Sequence, residues 1–180
     1  DGARAAAQLE EAEAVLAQGR PFFFIVKKGT FSKVSLRPEK KIPANETLPG
    51  RTSMLRAAAD ASSPRTVLAA TTGFTGRELY TLGDLDRNFY MVGSLGCLSS
   101  YALGLSLAAP DRGVVAFDGD GSLLMRTGSL AVNAAYKPAR LMHILLDNGA
   151  HESTGGQFTV SGGVDWPAAA RAFGYPKVVS

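Results

Sequence analysis

Residues 114–122 read Val114-Val115-Ala116-Phe117-Asp118-Gly119-Asp120-Gly121-Ser122. An unbroken apolar run of this length, bounded by a turn signal, is the pattern of a strand buried on both faces. Residues 123–136 then read as a helix stopped near Pro138, and LMHILLD (residues 141–147) is a second apolar strand. Between Gly121 and Asp147 lie 25 positions, residues 122–146, enough for one helix and the return strand of a right-handed crossover. The spacing predicts that Asp120 and the pair Asp147-Asn148 stand at the carboxyl ends of neighbouring parallel strands. Open α/β sheets bind their ligands at that edge.

The same alternation continues outward. Thr52 is placed to cap a short helix through Ala59, and residues 66–70 form a strand ending in a Thr/Gly turn. Arg77-Glu78-Leu79 reads as a helix start, residues 89–92 as a strand, and residues 98–109 as a small-residue helix ending before Pro110. A glycine-rich loop over residues 148–163 leads to a helix at 166–173 and a strand at Val178. The prediction is an α/β domain: a doubly wound parallel sheet with helices on both faces. Ahead of it, residues 1–18 read as a helix closed by Gly19, PFFFIVKK (residues 21–28) as a buried strand, and residues 29–50, rich in Lys and Pro, as a linker.

Composition excludes several classes of function. Nineteen Lys and Arg against sixteen Asp and Glu give a net charge of +3, spread without single-sign runs, so no nucleic-acid or membrane surface is expected. Cys97 is the only cysteine of the 180 residues. A disulfide framework is therefore impossible within the chain, and a reducing, cytoplasmic location is expected. No apolar run reaches transmembrane length.

The carboxylates need a reason to sit among glycines. A carboxylate at one strand end, an amide oxygen at the next, a backbone carbonyl just beyond and phosphate oxygens form a hard-oxygen shell suited to Mg²⁺. Glycines beside Asp120 let the backbone approach an anion, and a helix opening at Ser122 would direct free N–H groups toward it. Taken alone, the stretch reads more simply as a strand-to-helix turn with a capping aspartate, because short Gly/Asp motifs recur in unrelated proteins. Asp118 reads as such a turn residue, and His143 as a satisfied histidine inside an apolar strand.

Four motifs together go further. GDGS (residues 119–122) followed at this spacing by DN (147–148) resembles the metal and diphosphate motif of thiamine diphosphate enzymes, usually GDG followed by NN. FYMVGSLG (89–96) resembles the segment that grips the aminopyrimidine ring, and TTGFTGRELY (71–80) the opening of the diphosphate-binding domain. DNGAHESTGGQ (147–157) resembles the corresponding loop of phosphonopyruvate decarboxylases and, less fully, of sulfopyruvate decarboxylases. The resemblance covers most of the chain from Thr66 onward and points to the thiamine diphosphate-dependent 2-oxo acid decarboxylases.

What it implies can be carried over by position. Mg²⁺ would be held by the Asp120 carboxylate, the Asn148 side-chain oxygen and the Ala150 backbone carbonyl. Thr72, Gly73, Gly119, Gly121 and Ser122 would line the diphosphate. Gly93 would accept from the aminopyrimidine amine beside Ser94, and Leu95 would be the wedge that keeps the cofactor bent. His151 is the candidate for handling protons or binding substrate. Two positions depart from the usual pattern: Asp147 replaces the first Asn of NN, and Leu95 stands where methionine is expected, a swap of similar volume.

The implied reaction converts phosphonopyruvate to phosphonoacetaldehyde and CO₂. The glutamate that such enzymes set against the pyrimidine is not matched in residues 1–180. The resemblance therefore implies that residues 1–50 are the end of a pyrimidine-binding domain plus linker, and that residues 51–180 are a diphosphate-binding domain incomplete at its C-terminus. A pyrimidine-binding domain or subunit would act in trans within a homo- or hetero-oligomer, this chain alone being inactive. Alternatives are a sulfopyruvate or other 2-oxo acid decarboxylase subunit, a non-catalytic cofactor-binding subunit, or a domain that binds another phosphorylated ligand.

Overall fold

Four apolar runs become the strands of one parallel sheet in the computed structural model: β1 (Val67–Ala70), β2 (Asn88–Tyr90), β3 (Val114–Gly119) and β4 (Leu141–Leu146), in the order β2-β1-β3-β4. The structure describes residues 2–32, 34 and 48–180. Much of the linker expected at residues 29–50 lies outside them. The chain divides into two compact units, Asp1–Pro38 and Glu39–Ser180.

In the second unit the strand side chains alternate between two cores. Leu68 and Ala70 of β1 with Val115 and Phe117 of β3 pack against Leu55 of α2 (Arg51–Ala61) and Leu79 of α3 (Phe74–Leu82). Ala69, Val114 and Ala116 point the other way, onto Leu98 and Ala102 of α4 (Leu98–Ala108). All these side chains are at most 6% exposed. Small residues at 69, 102 and 116 let α4 lie close to the sheet. Helices therefore cover both faces, as the continuous apolar runs predict.

Several expectations are corrected. The helix expected over residues 123–136 is two helices, α5 (Asp120–Met125) and α6 (Ser129–Tyr136). Thr127 spends its hydroxyl on the Leu123 and Leu124 carbonyls, and the Arg126-Thr127-Gly128 link breaks the run. The first of these helices opens at Asp120, two residues ahead of Ser122. Thr52 does not cap α2: Gly50 holds the N-cap position, and the Thr52 hydroxyl donates to Glu78 Oε2 at 2.7 Å. Helix α3 begins at Phe74 rather than near Arg77, and β2 ends at Tyr90. Residues 175–180, including Val178, form no strand.

The last helix, α7 (Trp166–Phe173), matches its reading and is capped by Asp165, whose Oδ1 accepts from Ala168 N at 2.9 Å. Asp165→Ala is expected to cost about 1 kcal/mol of stability, read as a lower urea midpoint with unchanged slope.

In the first unit, α1 (Gly2–Leu16) ends two residues short of the expected 18, and a turn over residues 17–19 carries the chain to Gly19 at φ +70°. Residues 21–28 are not a strand: they have no ladder partner among the described residues, and Phe23 and Ile25 are 86% and 91% exposed. Their composition is that of a buried strand, but a strand exists only by pairing. Among the described residues no helix is long and apolar enough to cross a membrane.

Candidate functional site

Register decides where the chemistry gathers. Gly119 pairs with Leu146 across β3 and β4, so Asp120 and Asp147 leave the sheet side by side at its carboxyl edge. Ala70 pairs with Phe117, which brings the Thr71-Thr72-Gly73 turn to the same edge. A cleft opens there. Ten of the candidate residues line it: Thr72 and Gly73 after β1, Leu95 ahead of α4, Gly119 to Ser122 after β3, and Asn148, Ala150 and His151 after β4. Gly93 and Ser94 do not line it; they are exposed in the segment between β2 and α4, with Ser94 at φ +56°.

The cleft floor is braced by short polar side chains. Ser122, 3% exposed, accepts from Thr71 Oγ1 and from Gly96 N, both at 3.1 Å. Its oxygen thus ties three segments together. Thr72 Oγ1 donates to the Val92 carbonyl at 2.9 Å, holding the segment that carries Gly93.

Asp120 is 2% exposed, and one carboxylate oxygen accepts from Thr159 Oγ1. Thr159 gets there because β5 (Ala150–His151) pairs antiparallel with β6 (Gln157–Phe158), and Thr159 N donates to Gly149 O at 2.8 Å. Nothing in the sequence near Asp120 signals a partner 39 positions away.

Asp147 organises the loop that presents Asn148. Its Oδ1 accepts from Gly149 N at 2.9 Å and its Oδ2 from Ser161 Oγ, which in turn accepts from Trp166 Nε1 at 2.7 Å. The acidic residue at this position therefore anchors the loop to the start of α7. Asn148 Oδ1 accepts from Ala150 N at 3.2 Å and keeps a second lone pair.

Asp118 is corrected from a turn residue to a buried one. It is the penultimate residue of β3 and fully enclosed, accepting from Gly119 N at 3.0 Å and lying 3.3 Å from His143 Nε2. His143 is thereby satisfied, as its place in an apolar strand predicts, and neither residue lines the cleft.

Two glycines carry the close approaches. A Cβ on Gly121 would stand 2.4 Å from Cε1 and 2.6 Å from Nδ1 of His151, so the imidazole lies directly on that backbone. A Cβ on Gly73, which adopts φ +106°, would stand 3.2 Å from Ser153 Oγ. The segment from His151 to Ser153 thus packs on both glycine turns.

Arg51, which sequence reasoning missed, pins that segment. Its Nε and Nη2 donate to Glu78 Oε1 at 3.0 and 2.6 Å, and its Nη1 to Glu152 Oε2 at 2.9 Å. Burial pulls the guanidinium pKa down, but the bonds and charges of Glu78 and Glu152 outweigh it and the net shift is upward. For Glu78, burial raises the carboxyl pKa while donation from Arg51 and Thr52 lowers it further, leaving it below its ordinary value.

The donor set suits a diphosphate with a hard cation. Among the described residues no group of three or more His, Cys, Asp and Glu forms a metal cage. One carboxylate, one amide oxygen and a carbonyl at the edge of a glycine-floored cleft would leave further positions to phosphate oxygens.

The family model described as thiamine pyrophosphate enzyme, C-terminal TPP binding domain, matches residues 70–179. The chain is similar to phosphonopyruvate decarboxylase of Streptomyces hygroscopicus, 42% identical over 178 residues that cover 92% of this chain and 44% of that one. It is also similar to sulfopyruvate decarboxylase subunit beta of Methanothermobacter thermautotrophicus, 47% identical over 103 residues, 57% of this chain and 55% of that one. The chain thus spans about half the length of these relatives. The crystal structure of benzoylformate decarboxylase from Polynucleobacter necessarius superposes with a TM-score of 0.59 at 18% identity, over 79% of this chain and 29% of that one, which shows a shared fold.

Proposed function

The chain belongs to the thiamine pyrophosphate enzyme family through its C-terminal TPP-binding domain, and on that premise we propose that it is the cofactor-binding part of a phosphonopyruvate decarboxylase. The observation that carries this reading is the meeting of Thr72-Gly73, Asp120 and Asn148-Ala150 at one carboxyl edge. The 42% identity to a phosphonopyruvate decarboxylase supports the substrate. Sulfopyruvate is the second reading, favoured by the 47% identity to a sulfopyruvate decarboxylase subunit.

Thiamine diphosphate would supply the electron sink for loss of CO₂. Asp120, Asn148 and the Ala150 carbonyl would hold Mg²⁺, with Thr159 orienting the Asp120 carboxylate and the Ala150 N–H the Asn148 side chain. Gly73, Gly119 and Gly121 would let the diphosphate lie against backbone, and Leu95 would support the ring system. His151 would hold a proton at the cleft wall, its ring placed by Gly121. A pyrimidine-binding domain in trans would supply the activating glutamate, so turnover would require an oligomer.

Calorimetry with thiamine diphosphate tests the cofactor site, and paired CO₂-release assays with phosphonopyruvate and sulfopyruvate test the substrate. We expect Mg²⁺-dependent binding, and turnover of phosphonopyruvate once the pyrimidine-binding partner is present. Binding indifferent to Mg²⁺ would sink the metal assignment, and CO₂ release by this chain alone would sink the need for a partner.

A further inference from the structure

Arg51 is the one arginine or lysine, among the described residues, that lines the cleft. Its three bonds are unequal in kind. Glu78 receives Nε and Nη2 together, is itself held by Thr52, and is 25% exposed. The guanidinium also lies 5.8 Å from the Phe74 ring, whose centroid is 5.3 Å from Arg77. These contacts fix the fork and leave Nη1 to Glu152, which lines the same cleft. Its partner there, Glu152, is 47% exposed and sits in a three-residue 3-10 turn. One face of Arg51 is anchored, and the other has an exchangeable counter-ion.

We propose that Arg51 recognises the tetrahedral oxyanion at C3 of the substrate, a phosphonate or sulfonate, which takes the place of the Glu152 carboxylate on Nη1. The inference rests on the decarboxylase reading above. With Nε and Nη2 held by Glu78, Nη1 offers a charge-assisted donor to an oxygen of such a group, and the guanidinium stays charged at any working pH. A phosphonate dianion outcompetes a half-exposed monoanion, whereas a plain 2-oxo acid such as pyruvate brings nothing to make the exchange. Glu152 thereby excludes substrates without the second anion. Because it directly follows His151, its release also couples substrate arrival to the segment over Gly121.

The test uses the complex of this chain with its pyrimidine-binding partner, loaded with thiamine diphosphate and Mg²⁺. The probes are phosphonopyruvate as substrate, with 3-phosphonopropionate and butyrate, which lacks the second anion, as inhibitors. Arg51→Met is expected to raise KM for phosphonopyruvate and Ki for 3-phosphonopropionate about tenfold, while cofactor Kd and butyrate Ki stay within about twofold. Arg51→Lys recovers part of the loss. Glu152→Gln moves the other way, lowering Ki for 3-phosphonopropionate several-fold because the competing charge is gone.

A rise in cofactor Kd in Arg51→Met, with phosphonate binding kept, would assign the guanidinium to the cofactor's diphosphate and overturn the proposal. So would weaker phosphonate binding in Glu152→Gln, the mark of a purely structural latch, or no change in either variant. A wild-type complex that binds cofactor but neither 3-phosphonopropionate nor phosphonopyruvate would sink the substrate reading itself, and the Arg51 role with it.

Discussion

Asp120→Ala is expected to weaken Mg²⁺-dependent binding of thiamine diphosphate by at least about 100-fold, and to make what binding remains indifferent to Mg²⁺. Losing the outer partner of a metal ligand commonly costs 10–100-fold, so loss of the charged ligand itself should cost no less. Asp120 is the one carboxylate in the proposed ligand set, the others being neutral oxygens from Asn148 and Ala150. The substitution also removes the acceptor for Thr159, so a folding defect has to be separated from a binding defect. Thr159→Val does this: it leaves the carboxylate in place and removes its hydroxyl donor, at an expected stability cost of about 1 kcal/mol. Calorimetry on both variants, with and without Mg²⁺, gives opposed expectations. If Asp120→Ala binds the cofactor like Thr159→Val, the metal is held elsewhere.

The sheet was legible because parallel strands buried on both faces need continuous apolar runs, and residues 114–117 and 141–146 supply them. Residues 21–28 show the limit of that logic. Their apolar content states a need for burial but cannot name the partner strand, and the described residues provide none. Thr52 fails differently: its propensity to cap is real but small, and a hydrogen bond to the Glu78 carboxylate is worth more. At the site, Thr72, Asp120 and Asn148 were legible because each lies within three positions of an apolar run and register does the rest. Arg51 and Thr159 were not, since what makes each matter is a carboxylate 27 or 39 positions away. Asp147 looked like a departure from a pattern. Its two donors, Gly149 N and Ser161 Oγ, make an acceptor-only side chain the one that fits, a reason visible only once α7 is folded against the loop.

Gly121→Ala is the sharper probe of how the cleft wall is built. A methyl at that position would meet Cε1 of His151 at 2.4 Å and Nδ1 at 2.6 Å, far inside contact distance, and His151 atoms are the three nearest neighbours it would have. The backbone at Gly121 is helical and imposes no positive φ, so alanine is acceptable to the chain and unacceptable only to the imidazole. The ring must therefore leave. Displacing a positioned group by about an ångström commonly costs on the order of 100-fold in turnover, and kcat in the assembled enzyme is expected to fall by about that factor. Stability should fall by about 1–3 kcal/mol from the forced repacking. The decisive measurement is the double variant. In a His151→Ala background the obstructing ring is gone, so Gly121→Ala should cost nothing, or add up to about 1 kcal/mol from its better helix propensity, and should lower kcat no further. A double-variant cycle read by urea denaturation and by kcat then shows whether the two positions are coupled. Additive losses in both readouts would mean that the imidazole does not rest on Gly121, and the glycine would then be required for the cofactor alone.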